Sequence, residues 1–343
     1  MTGGNRPPRR AEVAGAGRQP AEADDADGPT AEVAGAGRQP AEADDADGPT
    51  VEVAGAGRQP AEVAADGGRT VEMASADNPA GEVVLAGGLD VEEVLAGGFI
   101  AEVVRIGDTV RRTPPANAGF VTALLAHLDR VGAHVAPRFL GTDERGRQVL
   151  SHLAGRVPWR EREDQAFFSD PALTRLAERI RVLHDACAGT ALASGAETVC
   201  HRDLSPKNTL YRDLPAGLLP VAFLDWDLAA PGRRIDDVAF AAWHWGELGE
   251  GADPAELGRR CRLLCDAYDA AGAGPDPVPL PRDELVTVML DQIEGTWRGI
   301  DAGADRDEPG MRRLRATGAV DGVRRWQGWL RTHRRTVESA LHA

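Results

Sequence analysis

The side chains best suited to chemistry fall in two short polar stretches, each set in apolar sequence. HRDLSPKNTL runs from His201 to Leu210, and VAFLDWDLA runs from Val221 to Ala229. In the first, Asp203 is followed five residues later by Asn208; in the second, an apolar run rich in strand formers delivers Asp225 to its C-terminal edge. Phosphoryl transfer asks for such a set, because the protein there mainly positions two partners and neutralises charge on the moving group. One carboxylate lies beside the incoming hydroxyl, an amide oxygen meets Mg²⁺, and a separate carboxylate bridges the metal. Asp203, Asn208 and Asp225 fit those three roles. An isolated Asp-x-x-x-x-Asn is common by chance, and His-Arg-Asp alone is more often a surface turn. Two motifs in this order, each after a hydrophobic run, are much harder to obtain by accident.

Both stretches read as loops fed by buried strands, and the surrounding elements must bring them together. At these residues the chain resembles the aminoglycoside phosphotransferase family, small-molecule kinases with a protein-kinase-like fold. His201-Arg202-Asp203 with Asn208 matches the kinase catalytic loop, and Leu224-Asp225-Trp226 is similar to the family's metal-binding Leu-Asp-Trp. The continuation from Ala229 to Trp245, AAPGRRIDDVAFAAWHW, resembles that family, whereas the Ala-Pro-Glu segment of protein kinases does not occur downstream. The resemblance implies an α+β bilobal fold with a small antiparallel-sheet N-lobe and a mainly helical C-lobe. It implies ATP and Mg²⁺ as cofactors and a small-molecule hydroxyl acceptor, with Asp203 as catalytic base and Asn208 and Asp225 as metal ligands. Asp237 is similar to the family's aspartate before the first C-lobe helix, where it would cap amides or brace the catalytic loop.

The N-lobe should begin near Val83 or Asp90. LDVEEVLAGGFIAEVVRIGDTVRRT offers three short strand-like pieces broken by Gly97-Gly98 and by Gly107-Asp108. By resemblance, the Gly97 and Gly98 amides would approach the ATP phosphates, although a plain hairpin turn explains a glycine pair equally well. Kinases grip the phosphates with a lysine on the third strand, but the only lysine in the chain is Lys207, inside the catalytic loop. The grip therefore falls to arginine. Alternation puts Val110 and Arg112 on one face and Arg111 on the other, and the family pattern favours Arg112.

Phe120 to Gly132 has helical spacing, yet Thr122 stands where a kinase glutamate would meet the third-strand cation. That departure motivates a competing reading, a catalytically weak or silent nucleotide-binding module. Residues 137 to 155 read as two strands around an Asp143–Gly146 turn, and by resemblance the Ser151 carbonyl and Leu153 amide would meet adenine. The helix from Asp170 to Ala188 is expected to start with an Asp170 cap and to hold His184 as a structural histidine. Lys207 is expected to point to solvent. From Ala255 to His342 the pattern predicts three helical segments, on which Asp291, Glu294 and Trp297 are candidates for lining an acceptor pocket.

Residues 11 to 30 recur unchanged as residues 31 to 50, and a third copy begins at Val51. The repeat is Ala, Gly, Pro, Asp and Glu with almost nothing large and apolar, so it cannot offset the entropy of ordering and disorder is expected. The organisation is therefore a tail over 1–87, an N-lobe over 88–153 and a C-lobe over 154–343. Of the net charge of −15, residues 1 to 90 carry −10, leaving only −5 for the rest. No concentrated basic face suggests nucleic acid, and no apolar run approaches a membrane span. Cys187, Cys200, Cys261 and Cys265 form no paired CxxC, so buried free thiols are expected. The cytoplasm follows by default, and the oligomeric state stays open.

Overall fold

The computed structural model describes residues 103–158, 165–272 and 278–343, together with the backbone of three short strands before them. Two of those, β1 (Val63–Ala65) and β2 (Arg69–Val71), pair antiparallel. The third, β3 (Glu93–Val94), begins a five-stranded antiparallel sheet with β4 (Val103–Ile106), β5 (Thr109–Arg112), β6 (Phe139–Thr142) and β7 (Gln148–Ser151). The strand order is β3-β4-β5-β7-β6. The rest of the expected tail, with its repeats, lies outside the described residues, and so do Gly97 and Gly98.

Helix α1 (Ala118–Arg130) buries Val121, Leu124, Leu125 and Leu128. That spacing draws one apolar stripe along a helix and fixes which side meets the sheet. The apolar core continues from α1 through α2 (Asp170–Cys187) into the helical half of the chain. The cap of α2 is Ser169, whose hydroxyl accepts the Ala172 N–H. Asp170, expected as the cap, is instead the first helical residue and pairs with Arg259, because the serine before it already has the extended backbone that a cap needs.

Two small antiparallel ladders carry the polar motifs. One joins β9 (Thr209–Leu214) to β10 (Gly217–Phe223), and the other joins β8 (Thr198–Cys200) to β11 (Ala230–Gly232). HRDLSPKN is thus the loop from β8 to β9, and LDWDLA lies between β10 and β11. Helix α3 (Arg234–Trp245) follows at once, then α4 (Pro254–Ala270), α5 (Leu285–Asp305), α6 (Pro309–Ala316) and α7 (Ala319–Leu341). Among the described residues the last third therefore has four helices where the pattern predicted three. The extra break falls at Thr317-Gly318, where Gly318 takes φ 76°, a left-handed turn that glycine adopts without strain.

Among the described residues, no helix is long and apolar enough to cross a membrane. All four cysteines are buried and unbridged. Burial pushes the Cys187 thiol up to about 12, so it stays a protonated, inert packing group.

Candidate active site

The two motifs meet because the Leu224 N–H donates to the Asn208 carbonyl at 2.8 Å, binding the end of one loop to the end of the other. Asn208 also faces Asp203. Its Nδ2 donates to the Asp203 main-chain carbonyl at 3.0 Å and to the Asp203 carboxylate at 2.7 Å. A carbonyl only accepts, so the amide orientation is fixed and Oδ1 remains as the acceptor left over for a cation.

His201 is wholly buried and braces both loops. Its Nε2–H donates to the Leu224 carbonyl at 3.0 Å, while Nδ1 accepts the Asp203 amide at 3.3 Å. Burial holds its pKa below the ordinary imidazole value despite Asp237 and Asp203 nearby, so it serves as a neutral strut. Trp226 packs against its ring at 4.6 Å between centroids.

Burial likewise raises the Asp203 carboxyl above the ordinary aspartate range, and the Lys207 ammonium offsets part of that rise. Lys207 departs from expectation here. Its Nζ lies 3.7 Å from the Asp203 carboxylate, one helical turn away in sequence, rather than pointing clear of the site.

Backbone strain marks both motifs. Arg202 and Asp225 have φ of 64° and 61°, a left-handed conformation unusual for residues other than glycine. Such strain persists only where the surroundings over-determine it. For Arg202 the determinant is Asp237, whose two carboxylate oxygens accept the His201 N–H at 2.7 Å and the Arg202 N–H at 2.9 Å. Asp237 is fully buried at the start of α3. Burial alone would raise its pKa, but the hydrogen bond from His184 and the other donors around it hold the carboxyl below the ordinary value.

His184 is the structural histidine expected on α2. Its Nε2–H donates to Asp237 at 3.2 Å and its Nδ1 meets the Tyr268 hydroxyl at 2.8 Å, which Arg234 in turn contacts at 3.0 Å. Helices α2, α3 and α4 are thereby wired to the catalytic loop. His184, Cys200 and Asp237 also form a compact donor group, but each is already satisfied, the thiol by the Arg233 carbonyl.

Arg112 reaches this centre from β5. Its guanidinium lies 3.5 Å from Asp225 and 2.5 Å from Asp227. Its neighbour Arg111 turns to Thr109 and to Asp143, as strand alternation requires. Ser151 closes β7, its hydroxyl accepting the Arg138 amide, and Leu153 follows in the connection between the lobes.

Two of the candidates on the C-terminal helices have partners of their own. Glu294 is taken up by Arg298, Arg331 and Gln327, and the Trp297 indole donates to Gln327 while Arg324 lies 4.2 Å over its ring. Both side chains tie α5 to α7, whereas Asp291 is exposed on α5. A cavity of about 490 Å³ lies instead at the far end of α3, lined by Trp243, Glu247, Glu250 and Trp326 among others.

Comparison with known proteins bears on this geometry. Residues 123–273 match the model of the phosphotransferase enzyme family. The matched stretch holds both motif loops and the helices that brace them. A curated relative, the trifolitoxin immunity protein of Rhizobium leguminosarum bv. trifolii, is 29% identical over 280 residues, spanning 70% of this chain and 94% of its own length. Among solved structures, a choline/ethanolamine kinase family protein from Mesorhizobium loti is 16% identical with a TM-score of 0.49, covering 74% of this chain and 93% of its own. The GDP and kanamycin complex of APH(2")-IIia is 15% identical with a TM-score of 0.46, covering 68% of this chain and 93% of its own.

Proposed function

We propose that the chain transfers the γ-phosphoryl group of ATP to a hydroxyl of a small molecule, an aminoglycoside-like compound or another small alcohol. The observation that carries this reading is the Asp203–Asn208–Leu224 junction, which sets a carboxylate raised by burial beside the strained loop of a second carboxylate.

In this reading the acceptor hydroxyl gives its proton to Asp203 as its oxygen bonds to the γ-phosphorus and the bond to the β,γ-bridging oxygen breaks, releasing ADP. The transition state is usually loose, so Asp203 orients the hydroxyl as much as it accepts the proton. Asn208 and Asp225 would hold Mg²⁺. Both offer hard oxygen donors, and Asn208 Oδ1 is left over as an acceptor once its amide N–H groups are spent on Asp203, so the pair fits a cation. When bound, Mg²⁺ neutralises charge on the phosphate oxygens. Arg112 would grip the phosphates, with the Gly97 and Gly98 amides close to them. The Ser151 carbonyl and Leu153 amide would meet adenine.

The name of the Rhizobium relative, trifolitoxin immunity protein, adds trifolitoxin and similar toxins to the acceptors worth trying.

The decisive experiment is Mg²⁺-dependent ATP consumption by the full chain across aminoglycosides, choline, homoserine, sugars and such toxins, with Asp203→Asn as control. One acceptor should stimulate turnover and gain a phosphoryl group, while the control binds ATP without turning over. Retained turnover in Asp203→Asn removes its assigned role, and ATP binding without turnover on any acceptor supports the binding-module alternative.

A further inference from the structure

Arg112 is 14% exposed at its side chain, and a cation so placed needs an anionic partner. Helix α1 supplies none. Gln148 stands directly across the β5–β7 ladder from Arg112, on the same face of the sheet, and its amide reaches Thr122 of α1 at 3.5 Å. A neutral pair therefore occupies the space between α1 and the strand that carries the arginine. The partners come from the far side of the cleft, and of the two the nearer is Asp227, not the metal-competent Asp225.

Asp227 is itself held on two sides. The Asn117 amide, at the entrance to α1, donates to its carbonyl at 3.0 Å. The preceding Trp226 is buried, with its indole N–H on the Phe223 carbonyl at 3.0 Å. The Asp227 carboxylate is thus presented to Arg112 by a segment fastened both to α1 and to the β9–β10 ladder. There is also a charge argument. Asp225 cannot give its full charge to a divalent cation and to Arg112 together, so a site with only that carboxylate would release the guanidinium whenever metal binds.

We propose that Asp227 is the positioning residue that keeps the Arg112 guanidinium aimed into the nucleotide cleft, so that Asp225 is free for the metal. The proposal rests on the reading of Arg112 as the phosphate grip. It differs in its consequences from a role for Asp227 as a metal ligand, because it operates with no metal present.

The test is ATP affinity of the full chain by calorimetry, once in chelator and once with saturating Mg²⁺, for Arg112→Gln, Asp227→Asn, their double variant, Asp227→Glu and Asp227→Asn with Thr122→Glu. Asp227→Asn should weaken metal-free ATP binding about tenfold, the loss of the nearer charge partner of a largely buried guanidinium. In the Arg112→Gln background the same change should weaken it no further, since the two residues act as a unit. Asp227→Glu should recover part of the loss. A carboxylate introduced at Thr122, on the same face as Arg112, should recover much of it, which a purely structural defect would not allow. Unchanged metal-free affinity in Asp227→Asn, with a raised Mg²⁺ requirement, would overturn the proposal in favour of a metal ligand. If Arg112→Gln itself leaves ATP affinity intact, it is the phosphate-grip reading that fails.

Discussion

Replacing Asp237 by Asn should unfasten the catalytic loop, and the size of the effect follows from its contacts. The aspartate is buried and accepts two backbone amides on separate oxygens, plus the Nε2–H of His184. Asparagine keeps the shape but has one acceptor oxygen, so its NH₂ must face either the Arg202 amide or the His201 amide and His184 together, which share the other oxygen. Losing a charge-assisted hydrogen bond and leaving a buried donor unpaired costs about 2–4 kcal/mol. The left-handed Arg202 backbone, at φ 64°, then loses its determinant and exacts about another 1 kcal/mol. The sum, about 3–5 kcal/mol, should lower the melting temperature by roughly 10 °C for a folded unit of this size. Calorimetric melting of the full chain measures it, and hydrogen exchange at the His201 and Arg202 amides should accelerate alongside. The sign of the pH dependence follows as well. The depressed carboxyl stabilises fully above the unfolded aspartate pKa, about 3.9, and that stability is lost as pH falls through the lower folded value. The variant should therefore lack this acid-side loss. A melting shift below about 2 °C, roughly 1 kcal/mol or less, would refute the bracing role.

Other outcomes follow from the same geometry. Because burial raises the Asp203 carboxyl, kcat/KM should fall on the acid side above the ordinary aspartate range, and Lys207→Met should move that limb to higher pH by removing the ammonium beside it. Tyr268→Phe should destabilise by about 1–2 kcal/mol in urea unfolding, since it strips the hydroxyl that His184 and Arg234 share. Gly155→Ala should cost at least about 1–3 kcal/mol in the same assay, because a Cβ there would stand 2.6 Å from the Tyr211 carbonyl oxygen, at the Arg156–Tyr211 bridge where the lobes connect. Gly258→Ala should be comparably harmful, its Cβ meeting the Val337 carbonyl at 2.4 Å between α4 and α7.

Much of this protein was legible in the sequence because the determining signals are local. A strand followed by a polar loop is written in adjacent residues, so the two motif loops, the sheet of short strands before them and the helical stripe of α1 could be read from spacing alone. Strand alternation, a property of the backbone itself, put Arg112 and Arg111 on opposite faces, and the family pattern chose between them. Caps and breaks were less readable, as Ser169 and Gly318 show, because neighbouring residues compete for them and small differences in backbone conformation decide. What no local pattern encodes is which charge meets which. Asp227 and Arg112 are 115 residues apart, and Glu294 lies 37 residues from the Arg331 that occupies it. Sequence determines that such groups exist, with their intrinsic charge and reach. Only the tertiary structure decides their partners, because burial removes the water that would otherwise satisfy each charge and forces it onto whatever opposite group the fold brings within a few ångströms.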